Sequence, residues 1–211
     1  MLAALNNLFR FLGWNECHMK FLKIQRKLFR DTARELTRTE YEQLIRTAEA
    51  QGKHRLALLM ETICATGVRV SEVKYLTVEA ARTGCAEISL KGKIRTILLP
   101  NKLCRKLLKY AKKQKIASGE IFLTGGGKPM SRCQIWAEMK RLCCAAGVAA
   151  DKVFPPTICG TCFAMVFYRT SRDIVKLADL LGHSSIETTR IYLVTSGAEH
   201  QRTLDRLGLI S

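Results

Sequence analysis

A chain of 211 residues, 47% of them hydrophobic, can bury one good core, or one domain and a fragment of another. Lys and Arg number 35 against 18 Asp and Glu, a formal net charge of +17, with a pI near 9.8, so the field of the whole molecule draws polyanions and nucleic acid is the expected partner. The basic residues are spread among ordinary apolar periodicities, which argues against a basic tail or a membrane-surface helix. With no apolar run near the ~18 residues a span needs and no visible signal peptide, a soluble cytoplasmic protein with no membrane partner is expected.

Nine cysteines, an odd number, fit a reducing compartment better than a disulfide framework. Cys159 and Cys162 have the spacing of half a zinc site or a redox pair, but nothing completes four ligands, so no metal is expected.

In chain order, residues 1–14 read as one apolar helix ending at Gly13, and residues 15–35 as a basic linker suited to lying on phosphates. Thr37 with Glu40 is a capping box opening a helix whose face carries Tyr41, Leu44, Ile45 and Ala48. Residues 54–65 are apolar nearly all round and predict a core helix. It ends at Thr66-Gly67, and a second helix is expected near Ser71, so ATGVRVSEVKYL places Arg69 in a corner between helices. Taken alone, Arg69 is a surface arginine. In a rigid corner its fork can also give two parallel hydrogen bonds to a phosphate.

From Ala86 to Pro100 the pattern becomes a β-hairpin, AEISL and IRTILLP around KGK, with Lys91 and Lys93 at the tip. In isolation this is a solvated turn. Residues 101–117 predict a strongly basic helix, residues 120–129 a loop, and residues 131–146 a helix capped by Ser131 with Ile135, Met139 and Leu142 buried. Gly125 to Gly127 lack the GK[ST] of a phosphate loop, so no nucleotide cofactor is expected. The elements add up to a mainly α protein with a small antiparallel hairpin, an α+β fold.

The last informative stretch is DIVKLADLLGHSSIETTRIYL, from Asp173. Ile174, Leu177, Ala178 and Leu181 repeat at helical spacing and stop at Gly182, a left-handed exit. His183 then sits just past a helix end. Ser184 and Ser185 can cap a new helix with Thr188 and Thr189 in its first turns and Tyr192 further on. A buried helical hairpin with a satisfied His and Tyr is the plainer reading of these residues.

LLGHSS followed by TTRIY resembles the C-terminal active-site segment of the tyrosine recombinases, or phage integrases. The resemblance implies that family's catalytic-domain fold and an activity of cutting and rejoining DNA through a 3′-phosphotyrosine, without metal or nucleotide. It implies Tyr192 as nucleophile and His183 as a hydrogen-bond donor to the scissile phosphate. ATGVRVSE matches the family's G-x-R-x-x-E corner, which implies Arg69 as a phosphate clamp and Glu72 as its structural neighbour. The hairpin tip implies Lys91 as general acid, with Lys93 a substitute because the turn is one residue short. Residues 1–14 resemble the last helix of the family's DNA-gripping domain, so a start inside a longer gene or a truncated reading of that gene is expected, with the catalytic domain over residues 36–211. Double-stranded DNA and a homotetramer on it are the implied partners, in a mobile element of bacterial or phage origin and at the nucleoid. A silent DNA-binding relative and a type IB topoisomerase are the alternatives, the short hairpin and compact LLGHSS favouring a recombinase.

One motif is broken. The family reads Pro-His-x-Leu-Arg-His-x-Phe-Ala where this chain has FPPTICGTCFA, ending at Ala164. Thr157, Gly160 and Thr161 stand near where His, the second catalytic Arg and His are expected. Codons for Thr157 to Phe163, read one base earlier, can spell His-Asn-Leu-Arg-His-Leu-Phe. The hypothesis is a compensated frameshift over residues 156–163, which also makes the two cysteines products of the shifted frame. Genomic codons that do not permit CAC and CGG in that frame would exclude it.

Overall fold

The structure, a computed structural model, describes residues 2–20, 36–90, 93–153, 162–183, 185–190 and 205–206. Contacts divide the chain into Asp31–Val194 and a smaller unit of Met1–Arg30 with Thr195–Ser211. In the smaller unit α1 (Leu2–Phe11) turns out at Gly13, φ 74°, and a 3₁₀ turn follows at Asn15–Cys17. Asn6 is buried, and its amide closes the loop by donating to the Met19 carbonyl at 2.9 Å while accepting from the Met19 N–H at 3.1 Å.

In the larger unit α2 (Arg38–Ala50) starts where the capping box demands, with Thr37 and Glu40 satisfying each other's backbone N–H. Lys152 pairs with Glu40 at 2.8 Å and the Gln43 amide donates to the Ala146 carbonyl at 2.7 Å. The first contact ties α2 to the 3₁₀ turn Ala150–Val153 and the second to the end of α6 (Arg132–Ala146), itself capped by Ser131. The core helix is α3 (His54–Thr66), where Leu56, Leu59, Met60 and Ile63 are buried. Its buried Thr62 and Thr66 are satisfied by donating to the Leu58 and Thr62 carbonyls, both at 2.7 Å.

The helix expected near Ser71 is a 3₁₀ helix, Val70–Tyr75, followed by α4 (Val78–Thr83). Val70 and Val73 are buried there, and the tighter turn serves a short span between two fixed ends. Strands β1 (Cys85–Leu90) and β2 (Lys93–Leu98) pair antiparallel with Ile88 opposite Arg95. Ala86, Ile88, Ile97 and Leu99 face the core, while Ile94 and Leu98 face outward. The basic helix α5 (Asn101–Lys113) is four residues shorter than the expected 101–117, because Lys115 takes a left-handed φ of 59°. Leu103, Cys104, Leu107 and Ala111 are its buried face.

After the 3₁₀ turn Ala150–Val153 come α7 (Phe163–Ser171), α8 (Ile174–Leu181) and α9 (Ile186–Arg190). Ala164, Leu177 and Leu181 form a small cluster of their own, walled by Phe163, Phe167 and Tyr168. The whole is mainly α with a two-stranded antiparallel sheet. No described helix is long and apolar enough to cross a membrane.

Candidate functional site

The site starts at the corner after α3. Gly67 caps that helix with φ 66°, and a Cβ there would lie 2.8 Å from Phe163 Cδ1, so α7 packs hard against the turn. Arg69 is then extended, and its own N–H donates to Glu72 Oε2 at 2.9 Å while its guanidinium donates to Oε1 at 2.8 Å. Its NH2 reaches the Leu181 carbonyl at 2.9 Å, 112 residues away in the chain. The Arg69 side chain is 45% exposed and that of Glu72 only 2%, so the carboxylate is the buried hub and the arginine its solvent-facing arm.

A second guanidinium occupies the other side of that hub. Arg95, on β2, donates from NH2 to Glu72 Oε2 at 2.5 Å and from NH1 to the Leu180 carbonyl at 3.2 Å. Burial holds its pKa below the usual arginine value, the charge of Glu72 opposing that shift and the charge of Arg69 adding to it. Its Nε is buried with no hydrogen-bond partner among the described residues. The two arginines thus take the last carbonyls of α8, which have no partner within the helix and carry the negative end of its dipole.

His183 follows directly. Asp173 caps the start of α8 by accepting from the Lys176 N–H at 2.9 Å, and Gly182 ends it with φ 63°. The His183 N–H donates to the Ala178 carbonyl at 3.0 Å, and its Nδ1 shares a 2.8 Å hydrogen bond with the buried Thr189 hydroxyl. Burial first, then the positive charges of Arg69 and Arg95, lower its pKa below the ordinary 6.5 and so favour the neutral imidazole.

Arg69, Glu72 and His183 are therefore brought to one corner. Lys91, Tyr192, Thr157, Gly160 and Thr161 lie outside the described residues. Lys93 opens β2 opposite Leu90. Arg95 and Thr189 were not singled out as site residues by sequence reasoning. For Arg95 a signal existed: strand alternation puts it on the face of Ile97 and Leu99, and an arginine on a core face needs an anion. Among the described residues no group of His, Cys, Asp and Glu has the makings of a metal site.

Residues 34–198 match the family model described as the phage integrase family. The chain belongs to that family. XerD of Xanthomonas campestris pv. campestris is 30% identical to this integrase-family chain over 161 residues, covering 69% of the chain and 49% of XerD. XerA of Pyrococcus furiosus is 27% identical over 219 residues, covering 100% and 73%. The chain spans about half the length of the XerD relatives of X. campestris and Halalkalibacterium halodurans, 49% and 56%. Among solved structures, the XerA recombinase superposes with a TM-score of 0.69 at 19% identity, over 100% of this chain and 75% of that one. The Tn1549 transposon integrase in complex with transposon right end DNA gives 0.68 at 15%, over 98% and 77%. Both share the fold of this integrase-family chain.

Proposed function

We propose that this chain is the DNA-cleaving part of a tyrosine recombinase, acting on double-stranded DNA as one protomer of a tetramer. The observation that carries the reading is the meeting of Arg69, Glu72 and His183 at one helix end, inside the matched segment 34–198 that also contains Tyr192. In the reaction the Tyr192 oxygen bonds to the scissile phosphorus as the bond to the 5′ oxygen breaks, and Lys91, or Lys93 in its place, supplies that oxygen with a proton. Arg69 holds a nonbridging oxygen on a guanidinium already aimed by Glu72, so developing charge meets a fixed donor. His183 acts as a neutral hydrogen-bond donor. Residues 1–14 are assigned to the end of a DNA-gripping domain, residues 15–35 to a linker on phosphates, and residues 36–211 to catalysis.

As written, the chain is a poor catalyst. Gly160 or its neighbour stands where the second arginine belongs, and an arginine at a phosphoryl site is worth roughly 10³- to 10⁵-fold in rate. The missing arginine favours a second reading, a silent DNA-binding protein that occupies recombination sites. A nicked suicide-duplex pool separates the two. The chain as written should give no covalent adduct. With His-Asn-Leu-Arg-His restored, the extra residue removed and a DNA-gripping domain supplied, an adduct should form and vanish in Tyr192→Phe. No adduct from the repaired protein would overturn the recombinase reading, while DNA affinity that survives Tyr192→Phe and falls steeply with salt supports the silent binder.

A further inference from the structure

We propose that Arg95 is a positioning residue that fixes the hairpin, the Arg69 corner and the His183 turn in one register. Three elements distant in sequence meet on its side chain. It sits on β2, it reaches Glu72, 23 residues away, and it reaches the Leu180 carbonyl, 85 residues away. The hairpin end is close by: Lys93 is two residues up the same strand, roughly 7 Å at the usual rise. The corner is held because Glu72 shares its two oxygens between Arg95 and Arg69, so the direction of the exposed guanidinium depends on the buried one.

The turn is held from beneath. A Cβ on Gly182 would lie 2.6 Å from Arg95 Cδ, so the arginine stem lies directly against the residue before His183. From the other side the His183 N–H is tied to Ala178 and its ring to Thr189. Among the described residues, the charged groups facing the imidazole from the neighbouring elements are Arg69 and Arg95, with Glu72 between them.

Only an arginine fits this task. Its two terminal nitrogens serve two acceptors on different elements, whereas a lysine brings one nitrogen to a point. An arginine kept only for stability is poorly chosen, since its Nε is buried with no partner among the described residues and apolar packing often replaces a buried ion pair at no loss.

The test uses the full chain with histidine-selective NMR and amide hydrogen exchange. The chain has four histidines, and His183→Gln assigns the relevant signal. In Arg95→Gln the His183 titration should move upward, since a repelling charge is gone and the turn opens to water. The Gly182 and His183 amides should exchange roughly tenfold to a hundredfold faster, as expected for loss of a charged hydrogen bond. Amides of α2 and α6 should not change. Arg95→Lys keeps the charge but cannot span both acceptors, so it should show the same faster exchange, and it decides the matter if the glutamine variant does not fold. Wild-type titration and exchange in a folded Arg95→Gln would overturn the proposal, as would full rescue by lysine. Failure of both variants to fold would also overturn it, because Arg95 would then govern the whole core rather than the corner. The catalytic meaning rests on the recombinase reading, but neither readout does. These changes without any adduct from the repaired protein would fell that reading and leave the positioning role standing.

Discussion

Replacing Glu72 by Gln removes the one negative charge that two guanidiniums share while keeping its volume. Arg95 has a side chain only 14% exposed, so it is left as a buried cation facing a neutral amide with one acceptor oxygen in place of a carboxylate's two. Removing one partner of a buried pair costs about 3–5 kcal/mol. The contact to Arg69, whose side chain is 45% exposed, is screened by water and adds no more than about 1 kcal/mol. A loss near 4 kcal/mol should lower the melting temperature by roughly 8–16 °C for a domain of this size. Urea titration followed by circular dichroism measures the loss directly. The double variant Glu72→Gln with Arg95→Met removes the stranded charge and should recover at least about 1.5 kcal/mol relative to the sum of the single variants. A single-variant loss below about 1 kcal/mol, or strict additivity in the double variant, would refute the picture of a buried hub.

Gly67→Ala and Gly147→Ala both force a methyl onto a φ of 66°, but only at Gly67 would it meet a ring, 2.8 Å from Phe163. Gly147→Ala should cost about 1 kcal/mol and Gly67→Ala about 1–3 kcal/mol more; equal losses on urea titration would deny the close packing of α7. His183 binds its proton less readily folded than unfolded, so the unfolded state gains protons first as pH falls. Its contribution is full above pH 6.5 and is lost as pH drops toward the lower folded value, and in His183→Gln that part of the pH dependence of the urea midpoint should disappear. Thr189→Val keeps the shape but leaves His183 Nδ1 without its hydroxyl, which should cost about 1 kcal/mol by equilibrium unfolding. An unchanged midpoint would mean the 2.8 Å contact contributes nothing net.

Signals carried by a few neighbouring residues were legible in the sequence. Thr37 and Glu40 announce the start of α2, Ser131 that of α6, and Gly67 and Gly182 end their helices as left-handed residues. The family resemblance of ATGVRVSE places Glu72 beside Arg69, and in the structure the two groups hydrogen-bond three residues apart. What the sequence hid was the long-range part. Nothing local says that Arg95 meets Glu72, or that helix α8 ends where two arginines need carbonyls, because those contacts depend on how the hairpin and α8 pack. The helix Phe163–Ser171 went unread because it begins inside the broken motif. The 3₁₀ form of Val70–Tyr75 was equally illegible, since the same buried valines suit either helix type.

The cluster of Ala164, Leu177 and Leu181 has a further consequence. Three small or medium side chains give this patch little oil of its own, and its polar hold on the rest of the unit runs through two backbone carbonyls, those of Leu180 and Leu181, which accept from Arg95 and Arg69. Such a flap should peel away long before the main core melts. Brief digestion under native conditions should therefore nick between residues 164 and 183 before it cuts α2, α3 or α6.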